Sequence, residues 1–222
     1  RWKGKKAVRR MAKLLITGGT GFVGGYVMDA LIEAGHSVRA LVRSGEVPQK
    51  ALEEKPVEFA GGDVVSGAGL EEAATGMDAV VHLVGIIRER PGAGFEEVHV
   101  KGTENMLRAA AAAKVRRFIH MSALGSRPDG VSRYHKTKWR AEEAVRASGI
   151  PYVIFRPSVI FGPGDEFINK LRSFYNNPFF VPVIGNGKPK LQPVYAKDVA
   201  RCFASAVDNP AALNRAFELA GP

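Results

Sequence analysis

Three glycines spaced three apart, Gly18, Gly21 and Gly24, follow an apolar run from Leu14 to Thr17 and open an amphipathic stretch from Phe22 to Ala34. Strand, glycine turn and helix in that order make a phosphate cradle. One glycine turns the chain off the strand, another lets a pyrophosphate reach the backbone, and the last lets the helix pack closely. The free N–H groups and dipole of the first helical turn face the anion. The spacing G-x-x-G-x-x-G departs from the commoner G-x-G-x-x-G, so the weight rests on its setting between strand and helix.

Two further positions bear on which anion is held. An acidic residue at the end of the second strand suits a ribose 2′-hydroxyl, and a basic one suits a 2′-phosphate. The second strand here ends Leu41, Val42, Arg43, Ser44 with no acid, which favours NADP over NAD, with Arg43 as the contact and Ser44 or Arg39 as helpers. Asp63, in Gly61-Gly62-Asp63-Val64, stands where a carboxylate could accept from an exocyclic amine of adenine, although Asp is also a common turn residue.

A third constellation could move protons. Tyr134 and Lys138 are four apart, so on a helix they share a face. An ammonium beside a phenol favours phenolate and draws the tyrosine pKa from about 10 toward working pH. Ser122, at the end of the fifth expected strand, adds a hydroxyl able to bond a carbonyl oxygen. The remaining histidines His36, His82, His120 and His135 show no metal-ligand spacing and read as satisfied surface or core residues.

The elements that must carry these groups alternate. Strands are expected at 14–17, 36–42, 57–60, 79–84, 117–121 and 152–156, with helices at 22–34, 48–54, 70–75, 95–114 and 132–148. Residues 79–84, AVVHLV, are too apolar for a half-exposed strand. Short loops between strand and helix units imply right-handed crossovers, hence an α/β fold with a doubly wound parallel sheet, a Rossmann fold. Beyond Pro157 prolines and glycines crowd the chain, with helices expected at 166–175 and 198–207 and strand-like runs at 192–195 and 216–219. The expected organisation is a tail at 1–10, a dinucleotide-binding core at 11–157, and a small substrate-side lobe at 158–222 interleaved with the core.

Composition limits the classes of function. At 222 residues, 45% apolar and 24% charged, the chain suits one globular domain with a sizeable core. The net charge of +10 points to nucleic acid only until it is located: six basic residues lie within residues 1–10, leaving +4 for the body. Nucleic-acid binding is therefore not expected. The basic head has no signal-peptide core, and Met11 directly before the first strand reads as a natural start, with the head as an upstream extension. No apolar run approaches the ~20 residues of a membrane span. The single Cys202 reads as a small buried hydrophobe in a reducing, cytoplasmic setting.

The segments TGGTGFVG at 17–24, GGDV at 61–64, HLVG at 82–85, VKGTENMLRAA at 100–110, Tyr134 with Lys138, RPSVIFGPGD at 156–165 and QPVYAKDVA at 192–200 occur in a telling order. In it the chain resembles the extended or atypical short-chain dehydrogenase/reductase superfamily, of the NAD(P)-binding epimerase/dehydratase type. It is most similar there to proteins related to the NADPH-binding accessory subunit of respiratory complex I. The resemblance implies that Gly18, Thr20, Gly21, Phe22, Val23 and Gly24 hold the pyrophosphate and Arg43 the 2′-phosphate. Asp63 and Val64 would sit beside adenine, Val84 and Gly85 would line the cofactor, and Pro157 and Val159 would lie near the nicotinamide. It also implies Tyr134 as the acid/base of a hydride transfer, with Lys138 beside it and Ser122 on the carbonyl. His99 departs from the pattern, standing where relatives usually carry Asn.

Two function classes follow. One is an NADP-dependent oxidoreductase or epimerase/dehydratase acting on a small carbonyl or sugar-like substrate. The other is a non-catalytic NADPH-binding module, such as an accessory or assembly subunit on a membrane-bound respiratory complex or a redox sensor. Relatives usually continue past the FELAGP segment at 217–222, so a truncated substrate lobe is expected.

Overall fold

The computed structural model describes residues 11–43, 56–166 and 190–221. Ser44 and the helices expected at 48–54 and over most of 166–175 fall outside the described residues.

Seven strands form one parallel sheet: β1 (Lys13–Thr17), β2 (Ser37–Val42), β3 (Val57–Gly61), β4 (Ala79–His82), β5 (Arg117–Met121), β6 (Tyr152–Pro157) and β9 (Arg215–Leu219). Their spatial order is β3-β2-β1-β4-β5-β6-β9, so the chain winds outward in both directions from β1. Two residues each of β7 (Ile160–Phe161) and β8 (Val194–Tyr195) pair separately.

The alternation of side chains along each strand builds two cores. Leu14, Ile16, Ala79, Val81, Ile119, Val153 and Phe155 face one way, joined by Val27, Met28 and Leu31 of α1 (Phe22–Glu33) and by Val199, Phe203 and Val207 of a later helix. Leu15, Val80, Phe118 and Ile154 face the other way, against α2 (Leu70–Ala74), α3 (Gly102–Ala112) and α4 (Arg133–Ala147). With both faces covered the central strands must be apolar throughout, and all four residues of β4 are buried. Phe118 and Phe203 are fully buried, each stabilising the fold by about 2–3 kcal/mol.

Two expectations are revised. The helix expected over 95–114 is two pieces, a π-helical segment Glu96–Lys101 and then α3. The Thr103 hydroxyl donates to the His99 carbonyl at 2.6 Å, where the winding changes. β4 stops at His82, after which only the Leu83 amide continues the ladder, to the Thr17 carbonyl. Residues 190–221 supply α5 (Ala196–Asp208), which packs on α1, and β9, which extends the main sheet.

The histidines also divide. His82 is satisfied, its Nδ1 2.7 Å from Thr17 Oγ1 and its Nε2 3.2 Å from Thr103 Oγ1. Since Thr103 donates to a carbonyl, it accepts from His82 Nε2–H, and Nδ1 accepts from Thr17. His120, stacked on His82 with centroids 5.6 Å apart, is 1% exposed, and neither ring nitrogen has a partner among the described residues. Burial, and then the neighbouring His82 and Lys138, press its pKa well below the ordinary value.

His82 and His99 are each lowered to about 3 by burial first and then by Lys138. The unfolded chain takes up these protons at about 6.5, so between the two values it binds more protons than the folded chain. The stabilising contribution is whole above pH 6.5 and falls as pH drops toward 3. Urea midpoints measured from pH 7 down to 4 should decline accordingly. His120→Leu should flatten that decline and raise stability at pH 7 by about 1 kcal/mol, because it removes an orphaned buried polar group.

Candidate functional site

Because every strand of the main sheet runs the same way, the residues following β1 to β6 share one edge, and the reversal of winding between β1 and β4 opens a crevice there. The glycine loop follows β1, Arg43 follows β2, Asp63 lies just beyond β3, Val84 and Gly85 beyond β4, Ser122 directly follows β5, and Pro157 ends β6.

The glycines divide their tasks by geometry. Gly18 has φ +75°, and a Cβ there would stand 3.1 Å from the Val84 amide nitrogen. A Cβ on Gly24 would lie 2.1 Å from the Gly18 carbonyl oxygen, so α1 can close on the loop only if residue 24 is glycine. Gly21 is different. Its φ is −78°, and a Cβ would meet only the Gly18 oxygen, at 3.4 Å, so no protein neighbour demands glycine there. Gly21 is also the N-cap of α1, which has no side-chain cap and no acid in its first turn. Thr20 and Gly21 are exposed, Phe22 and Val23 partly so. The residues present thus fit a dinucleotide pyrophosphate: an uncapped helix start stands beside a backbone position that no neighbour among the described residues requires to be bare.

The adenosine side is partly committed. Arg43 is exposed one residue past β2. Arg39 is not available as its helper: its guanidinium donates to the Ala73 and Thr75 carbonyls and pairs with Glu58 at 2.9 Å. Asp63 Oδ1 accepts from the amides of Val65 (2.6 Å) and Ser66 (3.3 Å), closing a turn. Val64 is buried, and its carbonyl accepts from Asn105 Nδ2 at 2.7 Å. Asn105 escaped the sequence reading; the available signal was a polar amide on the buried face of an alanine-rich helix.

On the other side of the crevice Lys138 is 3% exposed. Its ammonium donates to the Met121 carbonyl at 3.1 Å and lies 2.7 Å from where a Cβ on Gly85 would be. Contacts therefore run from Gly18 to Val84, Gly85, Lys138 and the end of β5. Burial lowers Lys138 to about 8, against the raising effect of Glu142. Tyr134, on the same face of α4, packs its ring edge-on to Phe95 (5.7 Å) and His99 (5.4 Å). The expectation that Lys138 lowers the Tyr134 pKa is overturned: burial pushes the phenol up to about 12, while the ammonium is directed at Met121.

His99 is held from both sides: Nδ1 lies 2.9 Å from Thr137 Oγ1, and Nε2 lies 3.0 Å from both the amide nitrogen and the carbonyl oxygen of Ile86. Ser122 is 3% exposed, and its hydroxyl donates to Ser126 Oγ at 3.2 Å. Pro157 is buried and its carbonyl accepts from Leu124; Val159 is partly buried and its carbonyl accepts from Val194.

A parallel sheet with a glycine cradle at its switch point and a buried lysine across the crevice defines a Rossmann dinucleotide-binding protein. The chain belongs to the NAD dependent epimerase/dehydratase family, which it matches over residues 14–220. It is 37% identical over 150 residues to a ceramide reductase of Caulobacter vibrioides, covering 68% of this chain and 47% of that one. It is 30% identical over 216 residues to the mitochondrial NADH dehydrogenase [ubiquinone] 1 alpha subcomplex subunit 9 of Arabidopsis thaliana, covering 93% of this chain and 53% of that one. The chain spans about half the length of these curated relatives. The solved structure of an epimerase from Methanothermobacter thermautotrophicus shares the fold, with TM-score 0.79 and 22% identity over 96% of this chain and 73% of that one. Among the described residues no helix is long and apolar enough to cross a membrane.

The two glycine environments separate stability from binding. Gly24→Ala should lower unfolding stability by about 1–3 kcal/mol through the clash with Gly18 and lose dinucleotide binding with it. Gly21→Ala should unfold within about 0.5 kcal/mol of the parent, yet bind dinucleotide more weakly, as read by titration of protein fluorescence.

Proposed function

We propose that the protein is an NADP-dependent oxidoreductase of the short-chain type, reducing a carbonyl or oxidising the corresponding hydroxyl. The observation that carries this reading is Lys138: an ammonium held out of water beneath Gly85, on the same helix face as Tyr134 and beside the expected cofactor crevice. The glycine loop and the start of α1 would hold the pyrophosphate, Arg43 the 2′-phosphate, Asp63 the adenine, and Val84, Gly85, Pro157 and Val159 would line the nicotinamide side. The bound reduced nicotinamide supplies the hydride.

The chain's own residues supply the rest. With its pKa near 12, Tyr134 is protonated at working pH and hence suited to donate to the carbonyl oxygen as hydride reaches its carbon. Lys138, whose ammonium donates to the Met121 carbonyl beneath Gly85, would anchor the cofactor ribose. His99, neutral and fixed by Ile86 and Thr137, packs against the phenol and helps hold its orientation. The reductase relative supports a reductive reaction, and a lipid is the substrate class its name suggests. The single Cys202 supports a reducing, cytoplasmic setting.

A second reading, a non-catalytic NADPH-binding module on a respiratory complex, is favoured by the match of 93% of this chain to a complex subunit. It is favoured also by a phenol that Lys138 does not activate. Turnover separates the two. Purified protein with NADPH and a panel of ketones should oxidise the cofactor under the first reading; binding with no oxidation would support the second.

Under the first, Tyr134→Phe should cut turnover by at least about 100-fold with cofactor affinity kept, and a fully active variant would remove the proton-transfer role. Reduction should fall as pH rises through about 8, as Lys138 loses its proton. Arg43→Ala should weaken NADPH more than NADH, measured as the ratio of their dissociation constants.

A further inference from the structure

Glu142 is 0% exposed, which for a carboxylate demands compensation. It lies one helical turn beyond Lys138 on the same face of α4. Its Oε1 accepts from Arg156 Nε at 2.9 Å and its Oε2 from Arg156 Nη2 at 2.7 Å, a bidentate fork, while Arg146 Nη2 adds a bond to Oε2 at 2.6 Å. The ring of Trp139 lies beneath both guanidinium groups, 4.9 Å from Arg146 Cζ and 5.5 Å from Arg156 Cζ. One carboxylate thereby joins α4 to the end of β6. Arg156 is next to Pro157, the residue expected beside the nicotinamide, and Ser122 is next to Met121, whose carbonyl receives Lys138.

We infer that Glu142 is the positioning residue of the Tyr134–Lys138 pair: it fixes α4 against the end of β6 and is the counter-charge for the buried ammonium. The groups facing Lys138 support this. His82 on β4, His120 on β5 and His99 on the π-helical segment all interact with it electrostatically, and each is held neutral by burial. Arg146 and Arg156 bring positive charge, which Glu142 partly cancels. Glu142 is the one carboxylate found to favour the charged lysine among the described residues. It does so through space, since its oxygens are occupied by the two arginines.

The inference rests on Tyr134 and Lys138 being the working pair, so the test reads Lys138 itself without cofactor or substrate. In the full chain labelled with 13C at the lysine side chains, the Lys138 signal, assigned by its loss in Lys138→Met, should titrate near 8. In Glu142→Gln the midpoint should drop by about one pH unit or more, because an opposite charge is gone. In Arg156→Met it should rise, because a repelling charge is gone and the carboxylate is less neutralised. A purely structural role predicts no shift, or shifts of the same sign, in the two variants; either result overturns the inference. Should Glu142→Gln fail to fold, Arg156→Met decides alone, a rise supporting the inference and an unchanged or lower midpoint overturning it. Absence of turnover in the parent would count against the proposed chemistry and leave this titration result standing.

Discussion

An ammonium held out of water at the C-terminal edge of the sheet is the constraint on which the rest of the site depends. Lys138 needs a bare backbone at Gly85, a carbonyl at Met121, neutral imidazoles nearby and a carboxylate within reach, and each is present. These demands come from four different strands and helices. The sheet must therefore be assembled before the charge can be accommodated, which ties the chemistry of the site to the register of β4, β5 and β6.

The same arrangement explains why the polar interior is dominated by histidines that stay uncharged. Around a buried lysine a charged imidazole would be repelled, and low polarity removes the water that would stabilise it. His82 and His99 resolve this by bonding to hydroxyls and backbone, and His120 by remaining an unpartnered neutral ring. Membership of a family of dinucleotide enzymes fits this layout without fixing the reaction, since the same fold hosts many chemistries.

Sequence was most informative where a local rule applies. The apolar strands, the helix after the glycine loop and the Tyr134–Lys138 face follow from period and spacing, and the observed elements lie within a few residues of them. It was least informative where partners are distant in the chain. Arg39, within β2, was expected to help hold a phosphate, yet it is spent on carbonyls more than thirty residues away. The tyrosine pKa was inferred from a neighbour's charge alone, without the desolvation that outweighs it.

What the sequence alone determined was the alternating architecture, the position of the phosphate cradle and the candidate acid/base pair, because glycine placement, apolar period and i,i+4 spacing are properties of contiguous residues. Only the tertiary structure decided which glycine packing requires and which it does not. It also decided which way the lysine points. Burial and direction arise from elements far apart in the chain, and they exist only once those elements are packed together.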